Sequence, residues 1–211
     1  GTDLQDAATH DRLTADILGR WIAMDSPTAL VWIRDSDVDE DTYDRAILAA
    51  LQQMTGLQAA NAAALFAEFV GAGRMDAMTD PTLYAQTVSA AKLLGATLGG
   101  LDYSSALEWG FGLPPDSAAQ AYILSNVAFS QSHGPTLPDM PWIGKMDSGF
   151  VRTRVLAALA YGRLLANGDT TLSPEVKRQL DADDFNLPRI KAIVQQSNLP
   201  AAEKRTLLPL L

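Results

Sequence analysis

The side chains best suited to chemistry lie in one stretch, with Ser132 and His133 side by side and Asp139 and Trp142 a few positions on. A serine, a histidine and an aspartate suggest nucleophilic catalysis, in which histidine takes the serine proton and the carboxylate orients the histidine. Adjacent residues rarely converge in that geometry, and the Gly-x-Ser-x-Gly turn that would expose such a serine is missing. His10 and His133 are the only histidines and cysteine is absent, so multi-histidine sites, thiolate ligands and thiol nucleophiles are all excluded. Between Gln131 and Gly149 the prolines Pro135, Pro138 and Pro141 with Trp142 describe a shaped loop, the kind of segment that carries binding. His133, Asp139 and Trp142 are the candidate surface site, and no catalytic, cofactor-binding or metal-binding residue is assigned.

Two other stretches resemble parts of a calcium loop. Asp35, Asp37, Asp39 and Asp41 alternate, but the turn glycine would fall on Glu40 and the bidentate glutamate on Ala46. Asn167, Asp169 and Ser173 match three middle positions, yet Leu165 and Val176 would then stand first and last. The first stretch is expected to be an acidic loop before a helix N-terminus, and the second a helix stop followed by a capped restart at Ser173-Pro174. Gly95 to Gly100 ends a helical pattern without following a strand, so no dinucleotide turn is formed. No cofactor is implied.

The carriers of these residues must be helices. Hydrophobic residues make up 47% of the chain, enough for a real core, and no apolar run reaches the ~18 residues that span a bilayer. A net charge of −9 repels phosphate backbones, and Arg152, Arg154 and Arg163 are too sparse to form a nucleic-acid track. Membrane insertion and nucleic acid are therefore not expected as partners. The start at Gly1 and the lack of cysteine suit an exported bacterial protein, without fixing the compartment.

From Leu13 the residues Leu13, Ile17, Trp21 and Met24 form one stripe, expected to face the core. Asp25-Ser26-Pro27 and Thr79-Asp80-Pro81 each read as a cap followed by a first-turn proline. Tyr43 to Met54 reads as a helix stopped at Gly56, and an alanine-rich helix covers Leu57 to Val70. Further helices are expected at Ser104 to Phe111, Asp116 to Ser130, Gly149 to Ala166, Pro174 to Leu180, Pro188 to Gln196 and Pro200 to Leu207. No stretch alternates as a strand would. The expected fold is all-α, one domain over 1–211 with about nine to eleven helices in a solenoid-like array or irregular bundle.

An internal duplication organises these helices. A shift of 77 positions carries Asp25, Ala29, Leu30 and Trp32 onto Asp102, Ala106, Leu107 and Trp109, and Ile17, Trp21 and Met24 onto Leu94, Leu98 and Leu101. The same shift places Asp39 on Asp116 and Ile47 on Leu124. The units cover about 13–56 and 90–131, each a long helix, a short one capped by Asp and a third, with the tryptophans expected as core staples. The second unit departs from the first at the 131–149 loop, where Trp142 and Ile143 are expected to plug the core. The motif Asp-x-x-x-Ala-Leu-x-Trp after a long amphipathic helix resembles helical-hairpin repeats of bacterial α-solenoids. That resemblance implies architecture only, since such repeats share no common activity.

The expected function is a non-catalytic helical-repeat scaffold or a module that binds protein or peptide. The alternative is an exported helical enzyme or small-ligand-binding protein whose cleft the 131–149 loop closes. The alternative requires His133 beside a carboxylate in a deep pocket, whereas the scaffold leaves His133 solvated and Trp142 buried.

Overall fold

A computed structural model of the chain describes residues 2–54, 58–134, 140–147, 149–168, 174, 176, 178 and 185–211. Among them all regular structure is helical, with eleven α-helices and no strand, so the fold is all-α. The chain divides into two compact units, Gly1–Leu94 and Gly95–Leu211. No described helix is long and apolar enough to cross a membrane.

Unit 1 opens with α1 (Thr2–Met24), α2 (Ser26–Arg34) and α3 (Glu40–Gln53). Each junction is set by an aspartate accepting backbone N–H groups that a helix start leaves unpaired. Asp25 accepts from Thr28 at 3.3 Å, and Asp39 from Thr42 at 2.9 Å. Next come α4 (Ala59–Val70), a 3-10 turn, α5 (Arg74–Ala77) and the start of α6 (Pro81–Leu101), where Asp80 accepts from Thr82 at 2.7 Å. The short α5 has no counterpart in the sequence expectations. Arg74 fixes it, pairing with Glu40 and Asp44 at 2.7 Å each and lying 5.7 Å from the ring centres of Tyr43 and Phe69. Burial pushes the Asp44 carboxyl upward, and Arg74 offsets only part of this.

The packing of α1 corrects the expected stripe. Leu13, Ile17 and Met24 are 57%, 66% and 85% exposed, while Ala15, Leu18 and Ile22 are buried. The reason lies at Gly19, where an added Cβ would sit 2.7 Å from the Ala49 Cβ and 2.9 Å from the Ala46 carbonyl oxygen. Helix α1 presses its small-residue face on α3, and the larger apolar face turns outward. Trp32 is likewise 48% exposed, so it is not a core staple, and its ring lies 5.6 Å from that of Trp21.

Unit 2 holds the end of α6, then α7 (Tyr103–Phe111), α8 (Ala118–Ser132), a 3-10 turn at Ile143–Lys145, α9 (Phe150–Ala166), α10 (Leu187–Gln196) and α11 (Ala201–Leu207). Two pairs of helix boundaries lie 77 positions apart. Helices α1 and α6 end at Met24 and Leu101, and α2 and α7 are nine residues each behind Asp25 and Asp102. The third helices depart from the register, because Ser117 rather than Asp116 caps α8. Asp116 instead adopts a left-handed φ of 57°, with its N–H donating to Gln120 Oε1 at 3.1 Å. The close approach recurs as well, since a Cβ on Gly95 would lie 2.7 Å from the Ile123 carbonyl oxygen.

The core of unit 2 is the pair α8 and α9, buried through Leu124, Ala128, Val155 and Leu159. Gly162 lets them touch, because a Cβ there would overlap the Ser132 hydroxyl and lie 2.8 Å from its Cβ. Arg154 is 2% exposed, its guanidinium 3.8 Å from the Tyr122 ring centre. Most of the helix expected at Pro174 to Leu180, and the stop at Gly56, lie outside the described residues.

Two substitutions of the same chemistry separate packing from helix propensity. Gly162→Ala is expected to cost about 1–3 kcal/mol by overpacking. Gly100→Ala, with nothing within 4 Å of its Cβ, should be neutral or stabilising by up to ~1 kcal/mol. Urea midpoints of both variants decide this, and equal shifts would refute the close-packing account. A second expectation concerns pH. The Ser105 hydroxyl at 2.6 Å and the Ser105 and Ser104 N–H groups hold the Asp102 carboxyl below its ordinary value. That stability is present above the unfolded value of about 3.9 and lost as pH falls through the lower folded one. Asp102→Asn keeps a capping oxygen but should lose less stability than the wild type between pH 5 and pH 3, read by urea unfolding.

Candidate functional site

The loop read as a candidate site is divided between two sets of partners. His133 follows the last turn of α8, exposed, with Nδ1 2.9 Å from the Phe129 carbonyl oxygen and its ring edge-on to Phe129 at 4.6 Å. Among the described residues it makes no ion pair. Asp139 lies outside the described residues. Ser132 is buried, and its hydroxyl donates to the Phe129 carbonyl at 2.6 Å. Trp142 is 8% exposed, donating its indole N–H to the Tyr103 hydroxyl at 2.6 Å and meeting Phe111 edge-on at 6.1 Å. Desolvation pushes the Tyr103 hydroxyl pKa upward. With Ile143 fully buried beside it, Trp142 plugs the core, as its apolar bulk and single polar handle favour.

Arg163 of α9 holds the start of this loop. Its guanidinium is buried, donating through Nη1 to the carbonyls of Ser132 at 2.9 Å and Gly134 at 2.7 Å. Through Nε and Nη2 it grips both oxygens of Glu203 on α11. The cation thus satisfies a carbonyl at the C-terminus of α8, where helices leave acceptors open and negative potential gathers. The arginines that looked too sparse for nucleic acid, Arg154 and Arg163, are buried structural groups.

Concave surface is found in unit 1. One cleft of about 610 Å³ runs along α1 and α3 between Arg12, Arg45, Asp11, Asp16 and Asp41. Arg45 reaches Asp80 at 3.5 Å, and Asp39 at the rim is committed to capping α3, which holds its carboxyl below the ordinary value. No group of three histidine or carboxylate side chains among the described residues is placed to hold a metal ion. The cleft offers charges of both signs without a nucleophile–base pair.

A second groove of about 600 Å³ is formed by the end of α1, by α2 and by α4. Met24, Leu30, Val31, Met54 and Leu65 make its apolar wall, and Asn61 supplies a polar side chain within it. One end carries the ion pair of Arg34 with Glu68 at 2.5 Å, and Gln58 donates from Nε2 to the Ala23 carbonyl at 3.0 Å. Met24 and Val31 stand 85% and 57% exposed at its edge. Leu13, Ile17 and Trp32 are also open, so five of the large exposed apolar residues belong to α1 and α2. Isolated apolar residues at a surface are ordinary, and the grouping of Met24 and Val31 at one groove edge is the feature that stands out here.

Sequence reasoning missed this groove because Met24 was assigned to the core stripe. A usable signal was present in α4, where Asn61, Leu65 and Glu68 recur at helical spacing on one side of an otherwise apolar segment. No protein-family model, curated protein or solved structure matches the chain.

Removing the Arg163 anchor tests how the loop is held. Arg163→Ala strips a buried carboxylate and two carbonyls of their donor and is expected to cost about 3–5 kcal/mol. Lys204, next to Glu203 in α11, does not replace it, since its ammonium is committed to the carbonyls of Gln195 at 2.8 Å and Ser197 at 2.6 Å. Urea unfolding of the variant checks the loss, and a change below ~1 kcal/mol would show that water satisfies these groups.

Proposed function

We propose that the chain is a non-catalytic helical module that binds a segment of another protein or a peptide, and that the groove of unit 1 between α2 and α4 receives it. The observation that carries this reading is the open Met24 and Val31 pair at the edge of an apolar groove with polar ends. Its volume, about 600 Å³, falls within the range of ligand sites. Helical walls suit an amphipathic helix, which would seat aliphatic side chains at i and i+4 against Leu30 and Leu65. Two methionines, Met24 and Met54, give the wall the adaptable shape that peptide-binding surfaces favour. Asn61 and the Arg34–Glu68 pair supply the directional contacts. In the 131–149 loop Trp142 is consumed by packing and His133 rests on α8.

Selection of peptides from a random display library against the full chain, followed by anisotropy titration of the enriched sequences, tests the reading. Val31→Glu should weaken their binding at least ~10-fold, because it buries an unpaired charge. Leu101→Glu, at a 65% exposed position in unit 2, serves as the control and should leave affinity unchanged. Enriched peptides that bind Val31→Glu as tightly as the wild type would overturn the groove assignment.

A further inference from the structure

The outward face of α1 is a second feature, adjoining the groove at Met24. Leu13, Ile17 and Met24 are open, and Trp21 between them is half-buried. Spacings of four, four and three residues keep all four side chains on one side of the helix. At two of its four positions the duplication marks a packing face, whereas Met24 and its counterpart Leu101 are both open, at 85% and 65%. Under the shift of 77 positions, Leu13 and Ile17 correspond to Ala90 and Leu94 of α6. There the equivalent side chains are only 4% and 6% exposed, whereas those of α1 are 57% and 66%. The first repeat carries side chains as large or larger at these positions, and nothing in the described structure covers them.

We propose that this face joins two copies of the chain, with α1 packed antiparallel on α1 of the second copy. The charges beside the stripe select that arrangement. Asp16 and Arg20 flank it one turn apart, both exposed, and neither forms an ion pair among the described residues. A two-fold axis near the middle of the stripe sets Leu13 opposite Met24 of the second copy and Ile17 opposite Trp21. The same operation brings Asp16 beside Arg20 of the second copy, twice over. A parallel arrangement would set each flank against the opposite flank of the second helix, leaving Asp16 and Arg20 of the two copies on different sides of the contact and these pairs unmade. The antiparallel contact is isologous and closes on itself, so it yields a dimer and not a filament.

Sedimentation velocity of the full chain over a concentration series tests this. The wild type should sediment as a dimer, and Ile17→Asp as a monomer whose far-UV circular dichroism is unchanged. Asp16→Arg and Arg20→Asp should each raise the dissociation constant about tenfold or more, and the double exchange should restore it, a rescue that only the antiparallel pairing produces. A wild-type monomer at every concentration would overturn the proposal and leave the face to a different protein. A dimer that survives Ile17→Asp would overturn it too, and failure of the double exchange to rescue would overturn the antiparallel register.

Discussion

The distance between α1 and α3 is the constraint on which unit 1 depends. Gly19 faces Ala46 and Ala49 so closely that even a methyl group would collide with them. Once that contact is made, the rotation of α1 about its axis is fixed, because no other face of the helix is small enough to come so near. Leu18 and Ile22 are carried inward on either side of the contact, and Leu13, Ile17 and Met24 are carried outward. The open apolar surface of the molecule is thus a consequence of good packing elsewhere. Unit 2 uses the same device at Gly95, and again at Gly162 between α8 and α9.

In unit 2 the polar counterpart of this packing is Arg163. A buried guanidinium is costly unless its donors are all used, and this one is shared between a carboxylate and two carbonyls. It therefore does more than pair with Glu203. It ties the end of α8 and the first turn of the following loop to α9 and α11, while Trp142 secures a later point of the loop against Tyr103 and Phe111. The described ends of that segment are thus held at two points, with Trp142 buried and His133 exposed.

Much of the open apolar surface is then found on α1 and α2. The groove beside α4 and the outward stripe of α1 differ in kind, the first concave with polar ends and the second a convex helix face with one charge of each sign at its flank. Met24 borders both, so occupation of one would be felt at the other.

Local signals in the sequence determined the helical class and most helix starts. Asp25, Asp39 and Asp102 cap helices because a short carboxylate one position before a helix has unpaired N–H groups within reach, a preference that needs no tertiary contact. The burial of Trp142 and Ile143 was also legible, since an aromatic in a proline-rich loop has few other ways to leave water. What the sequence did not determine was direction. A helix such as α1 carries two apolar faces, one of Leu13, Ile17 and Met24 and the other of Ala15, Leu18 and Ile22 around Gly19, and periodicity marks both. Only the approach of α3 to Gly19 decided which is core and which is surface, and with it where the groove and the open stripe lie. The same holds for Arg154 and Arg163, whose charge suggested solvent until the surrounding rings, carbonyls and Glu203 supplied the partners that make burial affordable.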